Sequence, residues 1–471
     1  MNRRGFLAGS SATFVAIGGC TVGEDFRSPE KDLPEQFFTS NAVSSGARGR
    51  AKWWLAYQDP KLNRLTEIGL EQNLDVKRTL ARIEQSRAIY DGAGYPISGA
   101  TRVAEIKASG GGEDGRSDSG FVRAEASWQL DLFGRLTRER EAANYRLEAA
   151  FADANVARTT LLSELAIAYI DARFFQELIR INHRVLQSRE QTLSATEQAR
   201  SIVVARKGAE NGAKPDENIP EVTELEVAQA RSLVATARAE LPESKILFFK
   251  SVSRVGALLG QAWDRPREGL DKNAPQPVPK ITDINTGIPA DLVRSRPDVI
   301  QAEKKLAEAV ALAGLAEAEL YPELILTGNI NANYSDGAFV PIAGFGRLGL
   351  DIPLFDLPER RSRVRYQKAR VDEFRLLWEE EIINAVEEVQ DSLVSLKNHK
   401  EAMEFTAQAI EELRTVLDLA RKSYIAGNTS FLQVLDAERA LLAAENALAL
   451  DKRNFAVDFV DLNVALGGNY S

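Results

Sequence analysis

Histidine and cysteine are almost missing from this chain. Its 471 residues hold two histidines, His183 and His399, and one cysteine, Cys20. A single cysteine excludes an internal disulfide and any cysteine-based metal cluster. The two histidines each sit in a long helical stretch and read as surface residues, so acid–base and metal chemistry have little to work with. No Gly-x-Ser-x-Gly elbow and no His–Glu metal pattern occurs. The chain therefore reads as a non-enzyme without a metal site. After the first twenty residues no apolar run approaches the roughly 20 residues that a spanning helix needs. With 27% charged residues it is no helical membrane protein, and any membrane crossing has to be made by strands. A basic excess is also absent. The net charge of −9 argues against general nucleic-acid binding, which needs a positive face.

The N-terminus, MNRRGFLAGSSATFVAIGGC, has a basic start, a short apolar stretch and small residues before Cys20. This is an export signal, too short to span as a helix. Ile17-Gly18-Gly19-Cys20 resembles a bacterial lipobox, which implies cleavage before Cys20 and acylation of it. Thr21, not an aspartate, follows the cysteine, which by the sorting rule for such lipoproteins implies delivery to the outer membrane. More than one acyl chain holds a protein durably to a bilayer. Arg3-Arg4-Gly5-Phe6-Leu7 also resembles a twin-arginine signal, and the export route stays open.

Proline and glycine are scarce over two very long stretches, and their placement shows a repeat. Tyr95-Pro96 and Tyr321-Pro322 each open an extended segment. Leu130-Asp131-Leu132-Phe133 and Ile352-Pro353-Leu354-Phe355 close the two hairpin regions. Arg135–Lys207, ending at Gly208, and Glu359–Ala426, ending at Gly427, follow as helical stretches, each with a further helix behind it. The first would extend on the order of 110 Å. Apolar residues recur at coiled-coil spacing in Leu161, Leu165, Ala168, Ala172, Phe175 and Ile179, and again in Ala409, Leu413, Leu417, Ala420 and Tyr424. Gly110–Gly120 reads as an exposed loop between two strands. The organisation is thus a signal peptide at 1–19, an acylated extension at 20–58 and a first repeat at 59–262, with strands at about 96–108 and 121–133. A proline-rich linker at 263–289 precedes a second repeat at 290–471, with strands at about 322–335 and 344–356.

The strands alternate. Val122, Ala124, Ala126, Trp128, Leu130 and Leu132 oppose Arg123, Glu125, Ser127, Gln129 and Asp131. Leu324, Leu326, Gly328, Ile330, Ala332 and Tyr334 oppose Thr327, Asn329, Asn331 and Asn333, with Ile325 the exception. Leu348, Leu350, Ile352 and Leu354 oppose Arg347 and Asp351. A lipid-facing barrel strand needs one such apolar face and one polar face. Four strands cannot close a barrel, and an open edge cannot be left in lipid. The same alternation would also suit four half-buried strands of a soluble sheet; if the strands span a membrane, several chains must share one barrel. Eight strands would fill their interior with side chains, so a duct favours three copies.

These residues resemble the TolC-like outer-membrane factors, in the lipoprotein subgroup that includes OprM and NodT. The resemblance is carried by Cys20-Thr21-Val22-Gly23 with Phe26 and Pro29, by Trp53-Trp54 with Asp59-Pro60, and by Trp128–Arg135. Ile288-Pro289-Ala290-Asp291-Leu292 with Arg296-Pro297-Asp298 adds to it. It implies a mainly α fold with some β: a long antiparallel coiled-coil helical barrel and a four-stranded contribution to a shared transmembrane β-barrel. It also implies a homotrimer serving as a passive efflux duct, a periplasmic adaptor and an inner-membrane pump of the resistance-nodulation-division type. The substrates implied are drugs, toxic organics or metal ions, and there is no cofactor beyond the lipid on Cys20. Tyr424-Ile425-Ala426-Gly427 and Val434-Leu435-Asp436-Ala437 match the family's periplasmic tip, where Asp436 corresponds to a gate carboxylate. Gln433 stands where TolC has a second gate acid, and Thr429 where it has a gate-restraining arginine. Gly208, Gly427, Asn428 and Thr429 mark the tips at which an adaptor would dock. The first tip takes nineteen residues from Gly208 to Val227, the second only seven from Gly427 to Val434, and the longer loop is expected to alter partner choice. The competing reading is a non-channel outer-membrane coiled-coil lipoprotein with a structural or adhesive role.

Overall fold

The computed structural model describes residues 21–31, 52–109, 116–209, 222–261, 269–281, 294–335, 338–339, 342–426 and 428–468. A 3-10 turn, Trp53–Tyr57, leads into α1 (Pro60–Gln72) and α2 (Leu74–Gly92). Then come β1 (Ile97–Ser109), β2 (Arg116–Leu130), α3 (Arg135–Ala209) and α4 (Glu224–Leu258). From α2 onward the series repeats as α5 (Pro297–Ala318), β3 (Glu323–Ser335), β5 (Ala343–Asp351), α6 (Leu357–Ile425) and α7 (Phe431–Ala465), with a two-residue strand β4 (Ala338–Phe339) inside the second hairpin. The expected mainly α architecture, with a small antiparallel sheet and two tandem repeats, is the one adopted. Among the described residues no helix is long and apolar enough to cross a membrane.

Local chemistry sets the element boundaries. Asp59 caps α1 through the amides of Lys61 and Leu62, with Pro60 at the first position, where its missing N–H is harmless. Thr223 and Glu226 form a reciprocal capping box at the start of α4. β2 begins at Arg116, inside the stretch read as a loop, because the hairpin ladder continues out to Ser109 opposite Arg116. It ends at Leu130 and not at 133, because the Asp131 carboxylate turns to accept the amides of Leu136 and Thr137 at the head of α3, at 3.0 and 2.9 Å. β5 stops at Asp351, short of the expected 356, since Pro353 has no N–H to give to a ladder.

The described residues within Met1–Glu30, Ile83–Ala150 and Gln301–Trp378 form one compact unit. It contains the sheet, ordered β1-β2-β3, with β4 and β5 both pairing with the far side of β3. All pairings are antiparallel.

The second unit takes Lys31–Arg82, Phe151–Ile300 and Glu379–Ser471. Its core gathers Trp53, Trp54, Leu62, Leu161, Leu165, Tyr169, Val255, Leu259, Leu396, Phe459 and Val460, all nearly inaccessible to solvent. The predicted α3 stripe faces this core: Leu161, Leu165, Ala168 and Ala172 are buried, and Phe175 and Ile179 pack against them. On α6 the phase differs from expectation. Ile410 is buried and Ala409 exposed, so the seam runs Ile410, Leu413, Leu417, Ala420, Tyr424. Each repeat closes the same way. The Asn73 amide donates to the Leu258 carbonyl at 2.7 Å, and the Arg296 guanidinium to the Ala465 carbonyl at 3.0 Å. A buried polar side chain at the head of α2 or α5 thus satisfies the last carbonyls of α4 or α7.

Candidate functional site

The sheet presents two chemically opposite faces. In register, Trp128 stands opposite Leu326, and Leu326 opposite Leu348; Leu130 faces Leu324, and Leu324 faces Leu350. Trp128, Leu326, Ile330 and Leu348 are 48%, 40%, 55% and 64% exposed. A continuous exposed apolar face of this kind marks a surface that meets lipid or protein. On the reverse face the Ser98 and Ser127 hydroxyls meet at 2.6 Å, Arg123 lies 3.7 Å from Glu125, and Gln129 donates to Glu323 at 3.3 Å. Phe121 and Phe345 also lie on this polar face, opposite Asn333 and Asn329. The alternation read from the sequence stopped one residue short of each.

The α6–α7 turn is built on an aromatic plug. Phe431 is fully buried and packs with Leu435, Ala230, Leu193 and Leu233. The Tyr424 ring lies 5.5 Å from it. The Tyr424 hydroxyl is buried with no hydrogen-bond partner among the described residues. Burial, and then the negative charge of Glu226, push its pKa above the usual phenol range. The Thr429 hydroxyl donates to the side-chain oxygen Oε1 of Gln433. Asp436 is exposed, and among the described residues its ion-pair partner is Arg439, one helical turn on, at 3.6 Å. Arg421 ties three helices together, reaching Glu438 on α7 and Ser188 on α3, both at 2.7 Å. Asn428 donates its amide to the Ser423 carbonyl at 2.9 Å. Gly208 is the penultimate residue of α3, which runs to Ala209. Gly427, most of the first-tip loop and Cys20 lie outside the described residues.

The family model for outer membrane efflux proteins matches residues 67–202 and 288–468. The chain belongs to the outer membrane efflux protein family. It is 32% identical to nodulation protein T of Rhizobium leguminosarum bv. viciae, over 97% of this chain and 92% of that one. It is 27% identical to the solvent efflux pump outer membrane protein SrpC of Pseudomonas putida, over 97% of each. Its fold is similar to the solved outer-membrane channel OprN, with a TM-score of 0.82 and 28% identity, over 96% of this chain and all of that one. This efflux protein is thus an outer-membrane channel component with a large periplasmic helical part, in a family of channels and not of enzymes.

The efflux protein also carries buried charges that the sequence reading passed over. Residues Thr21–Asp25, directly after Cys20, form a strap seated on the head of α3. Val22 donates its amide to the Phe133 carbonyl at 3.1 Å. Arg138, 2% exposed, gathers the rest. Its guanidinium donates to the Val22 and Gly23 carbonyls at 3.1 and 2.9 Å, to Asp25 at 2.9 Å and to Glu141 at 2.7 Å. Gly23 has φ +88°, and a Cβ there would stand 2.6 Å from the Gly314 Cα, so only glycine fits. In the other unit, Tyr169 donates to Asp59 at 2.5 Å and accepts from buried Arg173, which also donates to the Lys272 carbonyl at 2.9 Å. Leu270 is fully buried and Gln276 reaches the Ala449 carbonyl, so the described part of the linker is packed down. His399 is half-buried and bonded to Asp458 at 2.5 Å, in place of the free surface position expected for it; His183 is exposed. An arginine or histidine reads as solvated until its partners, far away in sequence, are known.

Proposed function

We propose that the protein is the passive exit duct of a tripartite efflux system, working as a homotrimer that carries small toxic compounds, drugs or metal ions across the periplasm and outer membrane. The observation that carries this reading is the two-faced sheet whose outer strands, β1 and β5, each have only one long neighbour among the described residues. In lipid such edges have to be paired, and single-chain bacterial barrels need about eight strands. Three copies supply twelve strands, enough to leave a lumen lined by the polar face.

In this reading acyl chains on Cys20 anchor the mature N-terminus to the membrane. The α6–α7 turn forms the periplasmic gate, where Asp436 carboxylates, one per copy, make a cation-attracting ring. Tyr424 and Gln433 stand beside it, and Gln433 is held by Thr429, so this gate has one acidic ring and no arginine restraint at that position. A periplasmic adaptor docks at the tips marked by Gly208, Gly427, Asn428 and Thr429, and an inner-membrane pump of the resistance-nodulation-division type supplies energy and selectivity. The name of SrpC, a solvent efflux component, supports organic solutes among the substrates. Conductance of the purified protein in a planar bilayer tests the reading. Stable ion-conducting openings are expected. A protein that inserts and never conducts would point instead to a non-channel coiled-coil lipoprotein.

A further inference from the structure

The two repeats place matching aromatic residues beside matching strand ends, and among the described residues only half of them are paired within the chain. Phe133 follows β2 and Tyr321 precedes β3; their rings stack at 4.8 Å with planes 22° apart. The contact continues the β2–β3 register. Leu130 faces Leu324, and three further steps bring Phe133 opposite Tyr321. Phe355 follows β5 as Phe133 follows β2, and Tyr95 precedes β1 as Tyr321 precedes β3. Yet Phe355 is 98% exposed and Tyr95 70%. They flank the two strands that form the free edges of the sheet.

We propose that Phe355 of one copy stacks on Tyr95 of the next, locking the helix-side end of the β5–β1 seam between subunits. The occupant of each edge is thus a second copy of this chain. The inference rests on the multi-chain barrel reading and adds to it the place where the seam is fixed. An in-chain Phe–Tyr stack joins the first repeat to the second; the same stack between chains joins the second repeat to the next copy's first. The sheet then continues from copy to copy with one type of junction. Such a lock is needed because a slip of one residue in the seam would turn the apolar side chains of one edge into the lumen. The stacked pair also takes two large aromatic surfaces out of solvent, where ring pairs gain from offset stacking.

The test exploits the lone natural cysteine. A chain carrying both Y95C and F355C is oxidised in the membrane and run on a denaturing gel without reductant. Chains with either substitution alone serve as controls for Cys20, and F133C with Y321C serves as the in-chain control for geometry. The double variant is expected to give covalent dimers and trimers that reduction collapses, while the single variants give none. A formed in-chain disulfide with no inter-chain ladder overturns the lock. A native mass of the same sample separates the two levels: an assembled oligomer without a ladder sinks the lock alone, and single chains sink the multi-chain reading with it. A photo-crosslinking benzoylphenylalanine at position 355 keeps an aromatic ring there. Its adduct is expected on the peptide holding Tyr95 of another copy, and an adduct elsewhere would refute the pairing.

Discussion

Replacing Arg138 with alanine should release the strap that follows Cys20 while leaving the rest of the fold in place. The guanidinium is 2% exposed and donates to two backbone carbonyls, Val22 and Gly23, within 3.1 Å. Hydrogen bonds from a charged donor contribute about 1.5–3 kcal/mol each. The Asp25 carboxylate is 84% exposed, so solvent screening leaves its share at under about 1 kcal/mol. Together the losses come to about 3–7 kcal/mol for seating the strap, a shift of at least about 100-fold in its opening equilibrium. The Val22 amide, which donates to the Phe133 carbonyl, is the natural reporter. Hydrogen exchange followed by mass spectrometry should show it about 100-fold faster in Arg138→Ala, with the sheet amides unchanged. Arg138→Lys should fall between the two, because an ammonium lacks the planar fork that spans both carbonyls. Exchange at Val22 within about twofold of the unaltered protein would refute the reasoning.

Four further outcomes follow from the second unit. Arg296→Met should lower stability by about 3–5 kcal/mol, measured by thermal unfolding in detergent, since it strands Asp298 and the Ala465 carbonyl. Burial pushes the Asp298 carboxyl up, but the hydrogen bond and charge of Arg296 outweigh it and hold it below the usual range; the stability it contributes is present at neutral pH and lost in acid, and Asp298→Asn should remove that acid loss. Asp461 behaves oppositely, pushed up to about 6 by burial and then by Asp458 and Glu388, against Arg453. Its charge opposes folding at neutral pH, so stability should rise as pH falls from about 6 toward 4, and Asp461→Asn should flatten that rise; an unchanged unfolding profile would remove Asp461 from the account. Asp436→Ala should abolish the response of channel conductance to divalent cations, and an undiminished response would take Asp436 out of the gate.

Much of this architecture could be read from the sequence because membrane-facing strands and paired helices impose strict periods. The alternation from Val122 to Leu130 has the period of a strand with one apolar and one polar face, and the stripe from Leu161 to Ile179 has the spacing of a buried helical seam. Where small residues blurred the stripe the phase was lost: alanine at 409 and isoleucine at 410 both suit a helix, and only packing showed that Ile410 is the buried one. The start of β2 was hidden because Arg116–Gly120 carries no apolar alternation, and backbone pairing alone extends the strand. The buried charges were invisible for a different reason. Arg138 is held by carbonyls more than a hundred positions away, and Arg296 by the far end of α7. Such partners are set by the fold and leave no local spacing. The exposure of Phe355 and Tyr95 belongs to the same class, since the landmarks were plain in the sequence but which of them met within the chain was not.

The measurement that bears most directly on the whole account is the native mass of the membrane-extracted protein in detergent. Four long strands with two free edges predict a single species of three chains, completing a twelve-stranded wall. A single chain would contradict the shared barrel, and a pair of chains would contradict the open lumen.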